Sequence, residues 1–246
     1  MSYTPKLFII VQARISSTRL PKKVILPLCD RTVLETMFER LSPLKEHLYI
    51  ATTNDGTEDA IVELCNKNSI PVYRGDRDNV LQRYYDTASE FGATDEDIIV
   101  RLTSDCPFID PTIVAEVITL LKEGNYDYAS NCIERTYPRG FDTEVFRFKT
   151  LKHAFENAST TFEREHVTTY IHTTHKEKFK LGSFTDSTDR SRYRLTLDEQ
   201  DDYDMTKALY KALGCRYDFS YDELISVLEA NPQIAQMNLH VEQKKV

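Results

Sequence analysis

Arg14, Arg19, Lys22 and Lys23, interleaved with Ser16, Ser17 and Thr18, crowd four cations and three hydroxyls into residues 14–23. A guanidinium grips phosphate through two parallel hydrogen bonds, and a lysine adds a mobile point charge. The chemistry these residues suit is the holding of a polyphosphate. The stretch lacks the glycines of a Walker or Rossmann phosphate loop, so a solvated basic loop is the competing reading. Two acids complement it. Asp105 ends the apolar run Ile99-Val100-Arg101-Leu102-Thr103-Ser104, and Asp198 ends Arg194-Leu195-Thr196-Leu197. A nucleoside triphosphate with Mg²⁺ needs hard oxygen ligands for the metal beside positive groups for the phosphates. Each acid alone also reads as a helix cap or a turn residue, and Glu199 to Asp202 read as the acid-rich first turn of a helix.

Strands must bring these groups together. The apolar run Leu7 to Val11 predicts a buried strand leading directly into the basic loop, and Val33, Leu34, Met37, Phe38 and Leu41 predict the helix after it. Further strands are predicted at His47 to Thr52, Pro71 to Tyr73 and Ile98 to Leu102. Helical spacing separates them at Ala60–Cys65 and Val80–Phe91, and recurs over Ile113, Val114, Val117, Ile118 and Leu121, ending at Gly124. This alternation defines an α/β fold, a mostly parallel twisted sheet flanked by helices. In such folds the strand-to-helix loops lie at the carboxyl edge, where ligands bind. From about 126 to 194 the pattern loosens and reads as a small inserted lobe. It returns with a strand at Tyr193 to Leu197, helices from near Gln200 and Tyr221, and a frayed polar tail after Asn238.

The 246 residues suffice for one large α/β domain. No apolar run approaches the length of a membrane span, and the early strand argues against a secretory signal. The net charge of −8 disfavours a nucleic-acid partner and marks the basic loop as a local exception. Five scattered cysteines without a Cys-x-x-Cys pair predict reduced thiols in a cytoplasm.

Val11 to Lys23 resembles the signature A-R-x-x-S-T-R-L-P-x-K of the sugar-acid cytidylyltransferases, the CMP-sialate and 3-deoxy-manno-octulosonate cytidylyltransferase group. The whole chain is similar to the spore coat polysaccharide biosynthesis protein F branch of that superfamily. The resemblance implies their Rossmann-like nucleotide-diphospho-sugar transferase fold, and a loop that wraps the triphosphate of CTP with Gln12, Ala13, Arg14, Ser17, Thr18, Arg19 and Lys23. Arg14, Arg19 and Lys23 would act on the reacting phosphates. Lys22 departs from the family, which generally has glycine there. Arg74-Gly75-Asp76 matches a cell-adhesion motif by letters but reads as a turn. By resemblance, Gly75 and Arg83 help enclose base and ribose. Ser104-Asp105-x-Pro107 resembles the G-D-x-P element, and Asp198 through Asp202 resembles W-T-V-D-x-x-x-D. Those elements imply Asp105 and Asp198 as ligands of a Mg²⁺ cofactor, with Ser104 beside the nucleotide. Gly140-x-Asp142-x-Glu144-x-Phe146 and Glu163-Arg164-Glu165-His166-Val167-Thr168 match elements lying toward the acceptor sugar, implying Arg139, Asp142, Glu144, Arg164 and His166 as its binding residues.

Asp142 and Glu144 alternate on one strand face, so both can point at one ligand, although an exposed strand face fits the spacing equally. His166 is a candidate base or hydroxyl-binding group, although a lone helix histidine is more often structural; His172 and His175, at i and i+3, could reach one metal but read better as a solvated helix end. The implied activity is Mg²⁺-dependent transfer from CTP to a sugar acid, in a cytoplasmic homodimer with no membrane or nucleic-acid partner. A glycosyltransferase of the same architecture would commonly carry Asp-x-Asp where this chain has Ser104-Asp105-Cys106. A non-catalytic nucleotide binder would have no need of Lys23, Asp105 and Asp198 together.

Overall fold

In β1 (Leu7–Gln12) successive side chains leave opposite faces of the sheet. Ile9 and Val11 enter one buried cluster, Phe8 and Ile10 the other. The computed structural model describes residues 4–243. After β1 come the basic loop, a short 3-10 turn at Lys23–Ile25, and a hairpin of β2 (Pro27–Leu28) and β3 (Arg31–Thr32). The alternation then follows the predicted order: α1 (Val33–Arg40), β4 (Leu48–Thr53), α2 (Asp59–Lys67), β5 (Val72–Gly75), α3 (Val80–Glu90), β6 (Ile98–Thr103) and α4 (Pro111–Glu123). Thr32 and Glu35 form a reciprocal capping box at the start of α1, and the Asp110 carboxylate accepts from the amides of Thr112 and Ile113 at the start of α4.

The seven-stranded sheet runs β5-β4-β1-β6-β8-β7-β9, with β7 Tyr128–Ser130, β8 Glu144–Arg147 and β9 Leu181–Ser183. Pairing is parallel throughout except on both sides of β8. One face is covered by α1, α2, α4, α7 (Gln200–Ala212) and α8 (Tyr221–Ala230); the other by α3 and α5 (Phe148–Asn157). None of the described helices is long and apolar enough to cross a membrane.

Four expectations change. Residues 126–194 build no sheet of their own: β7, β8 and β9 extend the central sheet, because β8 pairs antiparallel with β6. Residues 193–197 form no strand, only a single bridge between Arg139 and Arg194. There Gly140 (φ +107°) passes so near Leu195 that a Cβ would lie 2.4 Å from its carbonyl oxygen. The tail from Asn238 to Gln243 docks: Val241 is buried, and the Asn238 amide donates to the Arg194 carbonyl and the Asp202 carboxylate; the last three residues of the expected frayed tail lie outside the described residues. Finally, not all cysteines are free thiols. Cys29 and Cys215, 186 residues apart, are disulfide-bonded, because the fold lays the β2–β3 turn on the segment after α7. The Tyr217 hydroxyl donates to Asp30 across the same junction. Cys65, Cys106 and Cys132 remain thiols, and burial pushes the Cys65 thiol up to about 12.

Candidate active site

The carboxyl ends of β1 and β6 are adjacent, with Gln12 in register with Thr103. Lys23 returns from the basic loop to meet both predicted acids there. Its Nζ donates to Asp105 Oδ2 (2.8 Å), Asp198 Oδ1 (2.9 Å) and the Leu197 carbonyl (2.9 Å). The three side chains are 12, 24 and 15% exposed. Burial disfavours the Lys23 charge, but the two carboxylates outweigh it and raise the lysine above its ordinary range. For Asp105 burial acts upward, yet Lys23 holds the carboxyl down at about 2. Asp198 keeps its other oxygen for Arg19 and Arg194, each at 3.1 Å, and Arg19 also reaches Glu199. Arg194 is fixed in turn by Asp202.

Around this cluster, Ala13 is buried, Gln12 and Ser17 are half-buried, and Arg14 and Thr18 are exposed. The Ser16 hydroxyl is buried without a hydrogen-bond partner among the described residues. Lys22 adopts the left-handed conformation (φ 58°, ψ 23°) in which glycine is at ease. Ser104 is buried, its amide bonded to the Gln12 carbonyl. Gly75 is also buried, and a Cβ there would meet the Tyr73 ring at 2.8 Å. Arg83, implied near base and ribose, is 1% exposed and donates to the carbonyls of Asp76 and Arg77, so it shapes the turn after β5 from beneath.

Asp105 and Asp198 also line a cavity of about 820 Å³, together with Arg139, Asp142, Glu144 and His166. Arg164 does not line it; it donates to the Ala158 carbonyl, away from the other predicted acceptor residues. Asp142 and Glu144 reach the cavity already paired. Arg135 grips Asp142 through both guanidinium nitrogens (2.6 and 2.9 Å). Glu144 binds Arg101, its partner in the β6–β8 register, and accepts from the Thr168 hydroxyl. Burial works against the Arg101 charge, but Glu144 more than offsets it. By contrast, the Arg139 guanidinium has no ion pair or hydrogen bond among the described residues.

Arg101, Arg135 and Thr168 line the cavity without having been singled out, and His172 lines it too. Arg101 did carry a signal: an arginine inside an apolar strand must find a partner. His172 lies on a one-turn π-helix (Tyr170–Thr174), stacked on Tyr128 at 5.3 Å, instead of ending a solvated helix. Burial lowers the pKa of both His166 and His172, against the pull of Glu165 and Glu144 respectively, so each favours the neutral ring. Between His166 and Thr168, Val167 takes φ 58°, rare for a β-branched residue, and so turns the chain sharply where it borders the cavity.

A metal fits only with help. Among the described residues no three His, Cys, Asp or Glu side chains are placed to share an ion. The oxygens around Lys23 Nζ, two carboxylates and a carbonyl, are nevertheless the hard donors Mg²⁺ takes, and Mg²⁺ is commonly held by one or two carboxylates plus substrate phosphates. A sheet edge with cationic loop, paired carboxylates and a polar cavity is the arrangement of an α/β nucleotidyltransferase.

Comparison with known proteins agrees. A family model described as cytidylyltransferase matches residues 8–246, and the chain belongs to that family. It is 34% identical over 240 residues to the spore coat polysaccharide biosynthesis protein SpsF of Bacillus subtilis, covering 92% of this chain and 95% of that one. A cytidylyltransferase structure from Leptospira borgpetersenii superposes with TM-score 0.89 at 36% identity, over 99% of this chain and all of the other. A CMP:2-keto-3-deoxy-manno-octonic acid synthetase solved with CTP shares the fold at TM-score 0.62 and 15% identity, over 84% of this chain and 98% of that one.

Proposed function

We propose that this cytidylyltransferase joins the CMP group of CTP to a sugar acid in the cytoplasm, releasing pyrophosphate, to activate the sugar for surface polysaccharide or glycan synthesis. The observation that carries the reading is the meeting of Lys23, Asp105 and Asp198, from three distant segments, at the carboxyl edge of β1 and β6. The acceptor hydroxyl oxygen attacks the α-phosphorus and gives up its proton to water, the bond to the bridging oxygen breaks, and pyrophosphate leaves with the electron pair. Arg14, Arg19 and Lys23 offset the charge that builds on the leaving group. Asp105 and Asp198 would hold Mg²⁺, which when bound polarises the α-phosphate. Arg139, a cavity cation unpaired among the described residues, meets the acceptor carboxylate, while Asp142, Glu144, His166 and His172 face its hydroxyls. A homodimer is part of the proposal; Ile133 and Phe162, two exposed apolar residues in segment 126–194, suit it.

The test is thermal-shift binding of CTP, UTP, ATP, GTP and UDP-sugars with and without Mg²⁺, followed by pyrophosphate release with 3-deoxy sugar acids. A Mg²⁺-dependent shift selective for CTP, and turnover with a sugar acid, is the expected result. Stabilisation by UDP-sugars without any response to CTP would overturn the proposal.

A further inference from the structure

The ammonium of Lys23 occupies the place between Asp105 and Asp198 that a divalent cation would need. It engages one oxygen of each carboxylate and the Leu197 carbonyl, all within 2.9 Å. The remaining oxygen of Asp198 is shared by Arg19 and Arg194. Two carboxylates thus face three cations in a largely buried site, and a divalent ion entering would meet their combined repulsion and find three of the four carboxylate oxygens engaged by a cation, while Asp105 Oδ1 receives the Cys106 thiol. Lys23 and Arg19 both sit on or just beyond the loop after β1, while Asp105 and Asp198 are anchored by the sheet edge: the Leu197 amide donates to the Asp105 carbonyl, and the Asp198 amide to Asp202. The movable partners are therefore the loop cations.

We propose that Lys23 is a resident cation that closes the carboxylate pair to free divalent metal, and that the triphosphate opens it by drawing Lys23 and Arg19 onto its own oxygens. Metal then enters with or after the nucleotide, never ahead of it. The idea rests on the proposed function, since it needs a triphosphate at the loop. It adds an order of binding. A chain loaded this way does not hold metal idle at the carboxylate pair, and it couples the metal's arrival to the substrate it serves.

Free Mn²⁺, followed by its electron paramagnetic resonance signal, reads this directly on the full-length protein without turnover. Without nucleotide, wild type should bind Mn²⁺ at least about tenfold more weakly than Lys23→Met. Lys23→Gln, which keeps an amide donor among the three oxygens, is the second neutral variant should the first fold poorly. Lys23→Arg, which keeps the charge, should exclude Mn²⁺ as wild type does. CTP should then bring stoichiometric Mn²⁺ to wild type. If CTP brings the ion but neither neutral variant gains affinity without it, the gate is wrong and the cytidylyl-transfer reading stands. If CTP brings no ion to wild type, both fall.

Discussion

The loop after β1 and the cavity behind Asp105 are both charged, but they keep their charges differently. Arg14 points outward, and Arg19 and Lys23 hold carboxylates that a ligand could replace. In the cavity Arg101 is matched with Glu144 and Arg135 with Asp142, and among the described residues Arg139 is left without a partner. The first region is arranged to exchange partners, the second to hold a shape with one open position. Removing a charge should therefore cost catalysis in the first and stability in the second, except at Arg139.

The sharpest break of that contrast is Asp105→Asn. It leaves the strand end intact but removes the charge of a proposed metal donor and of one of the three Lys23 partners, so kcat at saturating CTP should fall by on the order of 10²–10³. Steady-state kinetics with pyrophosphate detection measures it; a kcat near wild type would place the chemistry elsewhere.

Glu144→Gln should instead act on the fold. It strands the buried Arg101, and breaking such a pair costs about 3–5 kcal/mol. Urea unfolding gives the value. A loss below about 1 kcal/mol, the level of a surface pair, would show that water reaches Arg101 and that the cavity is not internally matched.

Arg139→Ala separates the open position from the paired ones. The acceptor KM should rise by about 10- to 100-fold with the KM for CTP unchanged, the equivalent of losing one charge-assisted grip on a carboxylate. Equal rises in both would move Arg139 to the nucleotide side. Arg135→Ala makes the control, since Arg135 already holds Asp142 and its loss should appear mainly as destabilisation.

This contrast also explains what could be read from the sequence. The alternation of β1 to α4 is written in local periodicity, and the basic loop is a contiguous run, so both were legible. That Asp105 and Asp198 stand at the sheet edge beside that loop was legible because each ends an apolar run. The cavity behind Asp105 was only half visible: Asp142 and Glu144 stand out, but Arg135 becomes a partner only through a return of the chain, and Arg101 only through the β6–β8 register. The surroundings of Arg83 and Arg164 were hidden for one reason. A sequence shows that an arginine is present, not whether its guanidinium donates to backbone carbonyls. The Cys29–Cys215 bond spans 186 residues and has no local signature at all.

Acid stability offers a gentler comparison. The Asp105 pKa is depressed in the folded chain, so its ionised form stabilises the fold above about pH 4, and that contribution drains away as the pH falls through about 2. Wild type should lose more of its urea midpoint between pH 5 and pH 2.5 than Asp105→Asn does. Parallel losses would mean that Lys23 does not hold this carboxyl in solution.

The smallest effect tests how the loop balances charge against tightness. Lys22 pays for a left-handed backbone that glycine adopts freely, roughly 1–2 kcal/mol, while a glycine gives back about 0.5–1 kcal/mol through the entropy of the unfolded chain. Lys22→Gly should therefore stabilise the protein by no more than about 1.5 kcal/mol. Because the Lys22 side chain is exposed and makes no ion pair among the described residues, its removal should raise the KM for CTP by only a few-fold, about the worth of one screened surface charge. A large KM rise with the small gain in stability would show that Lys22 joins the phosphate grip, and that this chain accepts a strained loop in exchange for a fourth cation. A loss of stability would mean instead that the lysine stem packs the turn it strains.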